Sequence, residues 1–180
     1  MILRSWRIAS LIFCFLSLVA LAGLAGKAQE SFDDPEGKYG LTLFKGWLAV
    51  VNQDRVTGKT DFQIVYGIRE NGALKISTMD VTPKMEMSEV ALKHEQEALR
   101  FLPGYTKGKV ENFTVAPGQR GGSLITYDFK NTAGQPLLGR NYFLRVNDTT
   151  VYVLRFTGRA NTLGSLRNQT DTMARSFKLK

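Results

Sequence analysis

The residues that most often carry chemistry in small proteins are scarce in this chain and poorly grouped. The 180-residue sequence has one histidine, His94, and one cysteine, Cys14. A metal-binding pair on a helix would need a second ligand four residues from His94, and Val90 and Ala98 cannot ligate. Because Cys14 lies inside an apolar N-terminal run, the rest of the chain has no thiol for catalysis, disulfides or metal binding. We therefore expect no metal site, no cofactor and no thiol chemistry.

Oxygen ligands and one serine suggest two further sites, but neither has the spacing that its chemistry requires. The acidic residues at 33–36 could bind a hard cation with help from Asp54 and Asp61, but calcium loops need several ligands around a glycine bend. We interpret residues 29–38 as a flexible acidic lead-in. The Gly-Gly-Ser sequence ending at Ser123 resembles a nucleophile turn, but Ser123 opens a predicted strand and not the required strand-to-helix elbow. We expect no catalytic residues here.

Arginine gives the sharpest hypothesis. If Asn147-Asp148 forms a two-residue hairpin turn, Arg140 lies directly opposite Arg155. Like charges in that position destabilise a sheet unless something neutralises them. We favour an internal Arg–Asp network with Asp128 as the acid, because buried charges are normally paired. The alternative is a site for an external anion or for a partner's carboxylate.

Charge is distributed unevenly along the chain. Residues 29–100 carry 9 Lys/Arg and 12 Asp/Glu, whereas residues 101–180 carry 12 Lys/Arg and 4 Asp/Glu. This asymmetry predicts a basic face that attracts a protein partner or an anionic envelope component, with a membrane surface as a further candidate. The plainer interpretation is a soluble protein with a basic surface. The candidate partner-binding residues are Arg120, Arg140, Arg145, Arg155 and Arg159.

The N-terminus has the features of a secretory signal. Arg4 and Arg7 precede an apolar run at 8–24, and small residues at 26 and 28 follow it. This pattern predicts that residues 1–28 are a signal peptide and that the protein is periplasmic or extracellular. A retained transmembrane anchor is the alternative. Export argues against a nucleic-acid partner, and the sequence does not specify the oligomeric state.

Strand patterns and hairpin signals dominate residues 39–180, which we predict to form one domain. The segment 149–157 is apolar on both faces, so both faces of its sheet should be covered. Helices are predicted at 88–102 and 162–175. The fold class is therefore α+β, an antiparallel sheet of six to seven strands flanked by helices. The predicted strands span residues 39–43, 62–68, 73–81, 110–115, 123–129, 137–146 and 149–157, and residues 47–51 form a more continuous apolar run.

Two segments carry a family resemblance that extends over residues 31–178. The first is Tyr-Gly-Leu-Thr-Leu at 39–43, followed by Gly46-Trp47. The second is Val-Tyr-Val-Leu-Arg-Phe-Thr at 151–157, followed by a helix and Ser-Phe at 176–177. These resemble the opening and the close of the PsbP-like family, although Lys45 stands where that family usually has proline.

The resemblance implies an α/β/α sandwich, a lumenal or periplasmic location, and an accessory or binding role without catalysis. Members of the PsbP-like family include extrinsic photosystem II proteins, bacterial envelope proteins and a Ran-binding relative, so the fold does not fix the function. The residues expected to anchor the core are Trp47, Tyr152, Phe156 and Phe177.

The sequence is compatible with three functions. The first is an exported, non-enzymatic binding or accessory protein of the cell envelope. The second is a cofactor-independent hydrolase built on carboxylates such as Asp128, which needs a pocket that holds two carboxylates or one with a shifted pKa. The third is a carrier of a small apolar ligand, which needs a cavity that Trp47, Phe143 and Tyr152 leave unfilled.

Overall fold

The computed structural model describes residues 29–53, 60–115 and 121–180. The predicted signal peptide, residues 1–28, lies outside the described residues. The elements in chain order are β1 (Gln29–Asp33), β2 (Tyr39–Phe44), β3 (Trp47–Gln53), β4 (Thr60–Tyr66), β5 (Ala73–Asp80), α1 (Met87–Glu97), a 3₁₀ helix (Leu99–Phe101), β6 (Thr106–Phe113), β7 (Gly122–Lys130), β8 (Pro136–Arg145), β9 (Thr150–Arg159), α2 (Ala160–Ser165), α3 (Arg167–Ser176) and β10 (Lys178–Leu179).

The strands form two antiparallel sheets. The large sheet has seven strands in the order β3-β4-β5-β9-β8-β7-β6, and the small sheet has three in the order β1-β2-β10. Most neighbours in the large sheet are joined by hairpins, and β5 pairs with β9 across the inserted segment that contains α1 and β6 to β8. This architecture confirms the predicted α+β class with an antiparallel sheet flanked by helices.

The prediction of a flexible lead-in at 29–38 is corrected, because the first half of this segment is a strand. Residues 29–33 pair with β2 along all five positions. Phe32 anchors the strand, with its ring centroid 5.4 Å from that of Phe62. A turn follows in which the carboxylate of Asp34 accepts a hydrogen bond from the backbone N–H of Lys38. A segment with a single apolar residue gives no alternating pattern, so the sequence does not reveal this strand.

One face of the large sheet, here called the core face, carries Leu74, Tyr142 and Phe156. It packs against β2 of the small sheet and against α2 and α3. Trp47 is 2% exposed, and its indole N–H donates to Gln169 Oε1 of α3 at 3.1 Å. This bond ties the edge of the sheet to the C-terminal helix.

The residues expected to anchor the core lie on this face. Trp47, Phe156 and Phe177 are buried, and Tyr152 is half-buried between Tyr39 and Phe177. The turn before Trp47 depends on Gly46, which has a φ of +93° and whose absent Cβ would lie 2.5 Å from the Tyr66 ring. Only glycine meets both conditions.

The opposite face of the large sheet, here called the groove face, carries Phe143, Val153 and Arg155. The helix α1 covers part of it, where Val90 and Ala91 pack on the sheet. Among the described residues, no helix has both the length and the apolar character needed to cross a bilayer.

Both predicted helices are interrupted. The first ends at Glu97, because Ala98 leaves helical geometry, and a 3₁₀ turn follows before Pro103. The second divides at Leu166, whose N–H donates to the carbonyls of Thr162 and Leu163 in a tightened turn. Hydrophobic periodicity continues through both breaks and therefore does not detect them.

Candidate functional site

The part of the groove face that α1 leaves open forms a groove of about 440 Å³ over β5, β9, β8 and β7. This volume falls within the range of small-molecule sites, roughly 300–1,000 Å³. The groove combines two arginines, one carboxylate and several apolar side chains. Its lining includes Arg69, Glu70, Ala73, Phe129, Leu137 and Arg155.

The strand register aligns Arg155, which lines the groove, with two further polar residues. Lys75 of β5 lies directly opposite Arg155 of β9, which in turn lies directly opposite Asn141 of β8. Side chains in such positions share one face of the sheet, with Cβ atoms roughly 5 Å apart. We call these three residues the polar row.

The next residues along the strands are here called the small row, and its first two members line the groove. It runs from Ala73 through Thr157 to Gly139, with Tyr127 of β7 beyond. A Cβ on Gly139 would lie 2.1 Å from the Tyr127 ring. Glycine is required here because the ring lies against the backbone. The Tyr127 ring covers Gly139, so the groove opens over Ala73 and Thr157.

Asn141 in the polar row is 0% exposed. Its Oδ1 accepts a hydrogen bond from the Tyr127 hydroxyl at 3.1 Å, and within the described part of the chain its Nδ2 has no hydrogen-bond partner. Buried amide donors are nearly always satisfied, so an unpartnered one calls for an explanation.

The two cations of the polar row lack a neutralising acid. Among the side chains that the structure describes, no carboxylate oxygen lies within 4.0 Å of the side-chain nitrogens of Lys75 or Arg155. Lys75 is exposed and Arg155 is half-buried. Two like charges therefore face each other across a strand pair and repel.

Nearby titratable groups respond to Arg155. Burial lowers the pKa of His94 from its usual 6.5, Arg155 lowers it further, and Glu97 partly opposes the change. Burial raises the pKa of Tyr127, and this rise is opposed first by the charge of Arg155. The positive field of Arg155 thus extends from the groove to the last turn of α1, where His94 lies.

The predicted pairing of Arg140 with Arg155 is wrong by one residue. Arg140 lies opposite Phe156, and Arg155 lies opposite Asn141. The cause is the turn, which is one residue longer than the predicted two-residue turn. In it, Asn147 Oδ1 accepts hydrogen bonds from the backbone N–H groups of Thr149 and Thr150. A one-residue slip moves side chains to the other face, so the two arginines lie on opposite faces of the sheet.

Arg140 on the core face has the internal network that the sequence favours, with a different acid. Its Nη2 lies 2.7 Å from Asp171 Oδ1 of α3, and its Nε donates to the Tyr142 hydroxyl at 3.0 Å. That hydroxyl also donates to Asp171 Oδ1 at 2.6 Å and lies 2.9 Å from Thr170 Oγ1. Asp128, the acid proposed from the sequence, is exposed and lies opposite Leu138.

The other arginines do not gather around the groove. Arg145 donates to the backbone carbonyls of Met85 and Asp148, which fixes the loop before α1. Arg159 is exposed, and its backbone N–H donates to the carbonyl of Glu70. Arg120 lies outside the described residues, and Arg140 is 5% exposed and therefore inaccessible to a partner. The prediction of one arginine-lined partner surface is corrected to a single member in the groove, Arg155.

The acidic and serine candidates occupy structural positions. Asp33 forms an ion pair with Lys180, and Glu36 pairs with Lys38. Ser123 is buried, and its hydroxyl donates to the carbonyl of Glu111. Within the described residues, no three His, Cys, Asp or Glu side chains come together as a metal site would require.

Sequence reasoning missed Lys75 and Asn141. Neither residue forms a motif, and their relation to Arg155 exists only in the strand register. The correct length of the 147–149 loop would have placed Asn141 beside Arg155, but Lys75 reaches the row through the β5–β9 pairing, which joins segments more than 70 residues apart.

Comparison with known proteins supports the fold through shape alone. No family model matches the sequence, and a search of curated proteins finds no match. Solved structures with the same arrangement include cyanobacterial PsbP (CyanoP) from Synechocystis. It has 14% identity and a TM-score of 0.58 over 88% of this chain and 96% of that one.

Two further structures show the same similarity. LpqN, involved in cell envelope biogenesis of Mycobacterium tuberculosis, has 11% identity and a TM-score of 0.55 over 84% of this chain and 90% of its own. A point mutant of Mog1 has 11% identity and a TM-score of 0.52 over 84% and 95%. The chain therefore has the PsbP-like fold.

Proposed function

We propose that this chain is an exported, non-enzymatic binding or accessory protein of the cell envelope, and that it binds its partner through the groove. The observation that carries the proposal is Arg155, which lines an open, partly apolar groove and lies directly opposite a second cation without an ion pair, Lys75. A surface of this kind attracts an anionic group and then buries apolar area. The fold is shared with LpqN, which is involved in cell envelope biogenesis, and this similarity supports the same assignment.

The two other functions have less support from the described residues. A carboxylate hydrolase would need acids that converge in a pocket, and the groove is lined by one carboxylate, Glu70, beside two arginines. A carrier of an apolar ligand would need internal space, but Trp47, Phe143 and Tyr152 each pack against another aromatic ring.

Export and binding are tested separately. For export, the full chain is expressed with a C-terminal tag in a bacterial host that has a cell envelope. Cell fractionation then locates the tagged protein, and mass spectrometry measures its mass. We expect it outside the cytoplasm, with a mass that lacks residues 1–28. A cytoplasmic species of full mass would overturn the exported role.

For binding, the exported protein is immobilised and exposed to detergent-solubilised envelope from its host. The matched baits are wild type, the double variant Lys75→Gln/Arg155→Gln, and the double variant Lys109→Gln/Lys178→Gln, which removes the same charge outside the groove. We expect wild type and the outer double variant to retain the same components and the groove variant to lose them. Equal retention by all three baits would show that the groove is not the binding surface.

A further inference from the structure

The polar row provides an electrostatic reason to expect a small ligand. Lys75 and Arg155 lie directly opposite each other near the middle of the large sheet, where like charges are destabilising. In the residues that the structure describes, their side chains form no ion pair. An oxyanion bound between them would turn this repulsion into two attractive contacts, since arginine and lysine are the usual ligands of carboxylates and phosphates.

The charge of the groove lining gives a second reason. The lining includes two arginines, Arg69 and Arg155, and one carboxylate, Glu70. This surplus of positive charge attracts an anionic group. Asn141 lies opposite Arg155 but is fully buried and outside the lining, so it takes no part in binding.

The space next to the polar row decides what else the ligand carries. The small row leaves Ala73 and Thr157 at the floor, and Phe129 and Leu137 line the groove beyond. A bare ion would occupy only the cationic end of about 440 Å³. A partly apolar body attached to the anionic group would cover the rest and bury the apolar wall.

We infer that the groove binds a small organic anion, with its carboxylate or phosphate group against Arg155 and the facing Lys75 and its apolar body over Ala73 and Thr157 toward Leu137. This inference rests on the proposed binding role and specifies the chemistry of its ligand. The anionic group could belong to a free metabolite or to a lipid headgroup, and the experiment separates these two sources.

The probes are phenyl phosphate, inorganic phosphate and the uncharged analogue benzyl alcohol, titrated into the exported protein and followed by calorimetry and amide chemical shifts. We expect saturable binding of phenyl phosphate, weaker binding of inorganic phosphate, and no binding of benzyl alcohol. The shifts should centre on β5, β8 and β9. Absence of saturable phenyl phosphate binding overturns the inference.

Variants test whether the polar row binds phenyl phosphate. Arg155→Gln should weaken phenyl phosphate binding by about tenfold or more, since it removes charge-assisted hydrogen bonds. Lys75→Gln should weaken it less, because Lys75 is exposed to solvent. The matched control Lys109→Gln, on edge strand β6, should change the affinity by less than about twofold. Equal affinities for Arg155→Gln and Lys109→Gln overturn the site, provided that thermal melts show both variants folded.

Vesicles separate the two sources of the anion. Phosphatidylcholine vesicles with and without phosphatidylglycerol are floated with wild type and Arg155→Gln. A lipid ligand predicts flotation that requires phosphatidylglycerol and Arg155 and that phenyl phosphate competes away. A free metabolite predicts phenyl phosphate binding without such flotation. If phenyl phosphate fails to bind while the groove variant still loses its envelope partner, the binding role stands and the organic-anion inference falls.

Discussion

Two arginines on adjacent strands show how the two faces of one sheet serve different purposes. Arg140 of β8 and Arg155 of β9 are equal in charge, yet they lie on opposite faces. Arg140 is buried with Asp171, Tyr142 and Thr170 around it, and each of these groups is hydrogen-bonded. Arg155 is half-buried at the end of an open groove, faces another cation, and lies beside an unpartnered amide.

The difference shows which charges stabilise the fold and which are available to a ligand. A buried cation is tolerated only with a paired acid, so Arg140 must be neutralised inside the protein. Arg155 keeps contact with solvent, and the sheet tolerates its repulsion with Lys75 because water screens part of it. Substitutions on the core face should therefore change stability, whereas substitutions in the polar row should change binding.

The largest expected effect is on the core face. Arg140→Gln should lower the free energy of unfolding by about 3 kcal/mol, the lower end for breaking a buried pair, because Asp171 retains some solvent contact. Chemical denaturation with wild type as reference measures it. The control Arg140→Met/Asp171→Leu, which removes both charges, should recover much of the loss. If Arg140→Gln and wild type unfold at the same denaturant concentration, the buried network does not stabilise the fold.

The next effect concerns Gly139 of the small row, where the backbone packs closely against an aromatic ring. Gly139→Ala places a Cβ against the buried Tyr127 ring and should destabilise the protein by about 1–3 kcal/mol. The matched control is Gly164→Ala in α2, where no atom lies within 4 Å of the added Cβ and helix propensity favours alanine. Thermal melts of both variants test the contrast, and equal melting temperatures would show that the Tyr127 ring moves freely.

The comparison also shows how far the sequence predicts this molecule. The hairpin segments, both helices and the core positions of Trp47 and Phe177 follow from periodicity, turn residues and resemblance, because these signals are local. The strand at 29–33 does not follow, since only Phe32 marks it. The predicted register of β8 and β9 is also wrong. The turn between them has three residues, held by the Asn147 side chain, and no local sequence pattern indicates this length.

An error of one residue in the strand register changes which side chains share a face of the sheet. It paired Arg140 with Arg155 on one face, whereas the structure gives Arg140 an internal acid and gives Arg155 a cationic neighbour. The like-charge pair expected from the sequence does exist, but between Lys75 and Arg155. Long-range strand pairing decides which residues meet, and it depends on the whole core and not on any segment.

A smaller effect tests whether the polar row serves the fold or a ligand. Lys75→Gln removes repulsion from the unliganded protein and should leave its stability unchanged or raise it by about 0.2–1 kcal/mol. Lys109→Gln, outside the groove, should lie within about 0.5 kcal/mol of wild type. A clear loss of stability in Lys75→Gln alone would indicate that Lys75 has a structural partner, and the contrast between the two faces would then disappear.

The smallest effect is a change in proton binding, which the single histidine makes directly visible. Burial and Arg155 lower the pKa of His94, so the unfolded chain binds a proton near pH 6.5 while the folded chain does not. The His94 contribution to stability is therefore complete above that pH and is lost as the pH falls from about 6.5 through the folded pKa. The variant His94→Gln should lose this part of the pH dependence.

The same histidine reports on the groove in an NMR titration of its imidazole. Arg155→Gln should raise the pKa of His94, but not to its usual 6.5, because burial is the larger cause of the depression. Phenyl phosphate bound to wild type should raise it as well, since a bound anion offsets the charge of Arg155. The control Lys109→Gln should leave it unchanged. If the pKa of His94 is the same in Arg155→Gln and wild type, the field of Arg155 does not reach α1, and His94 is depressed by burial alone.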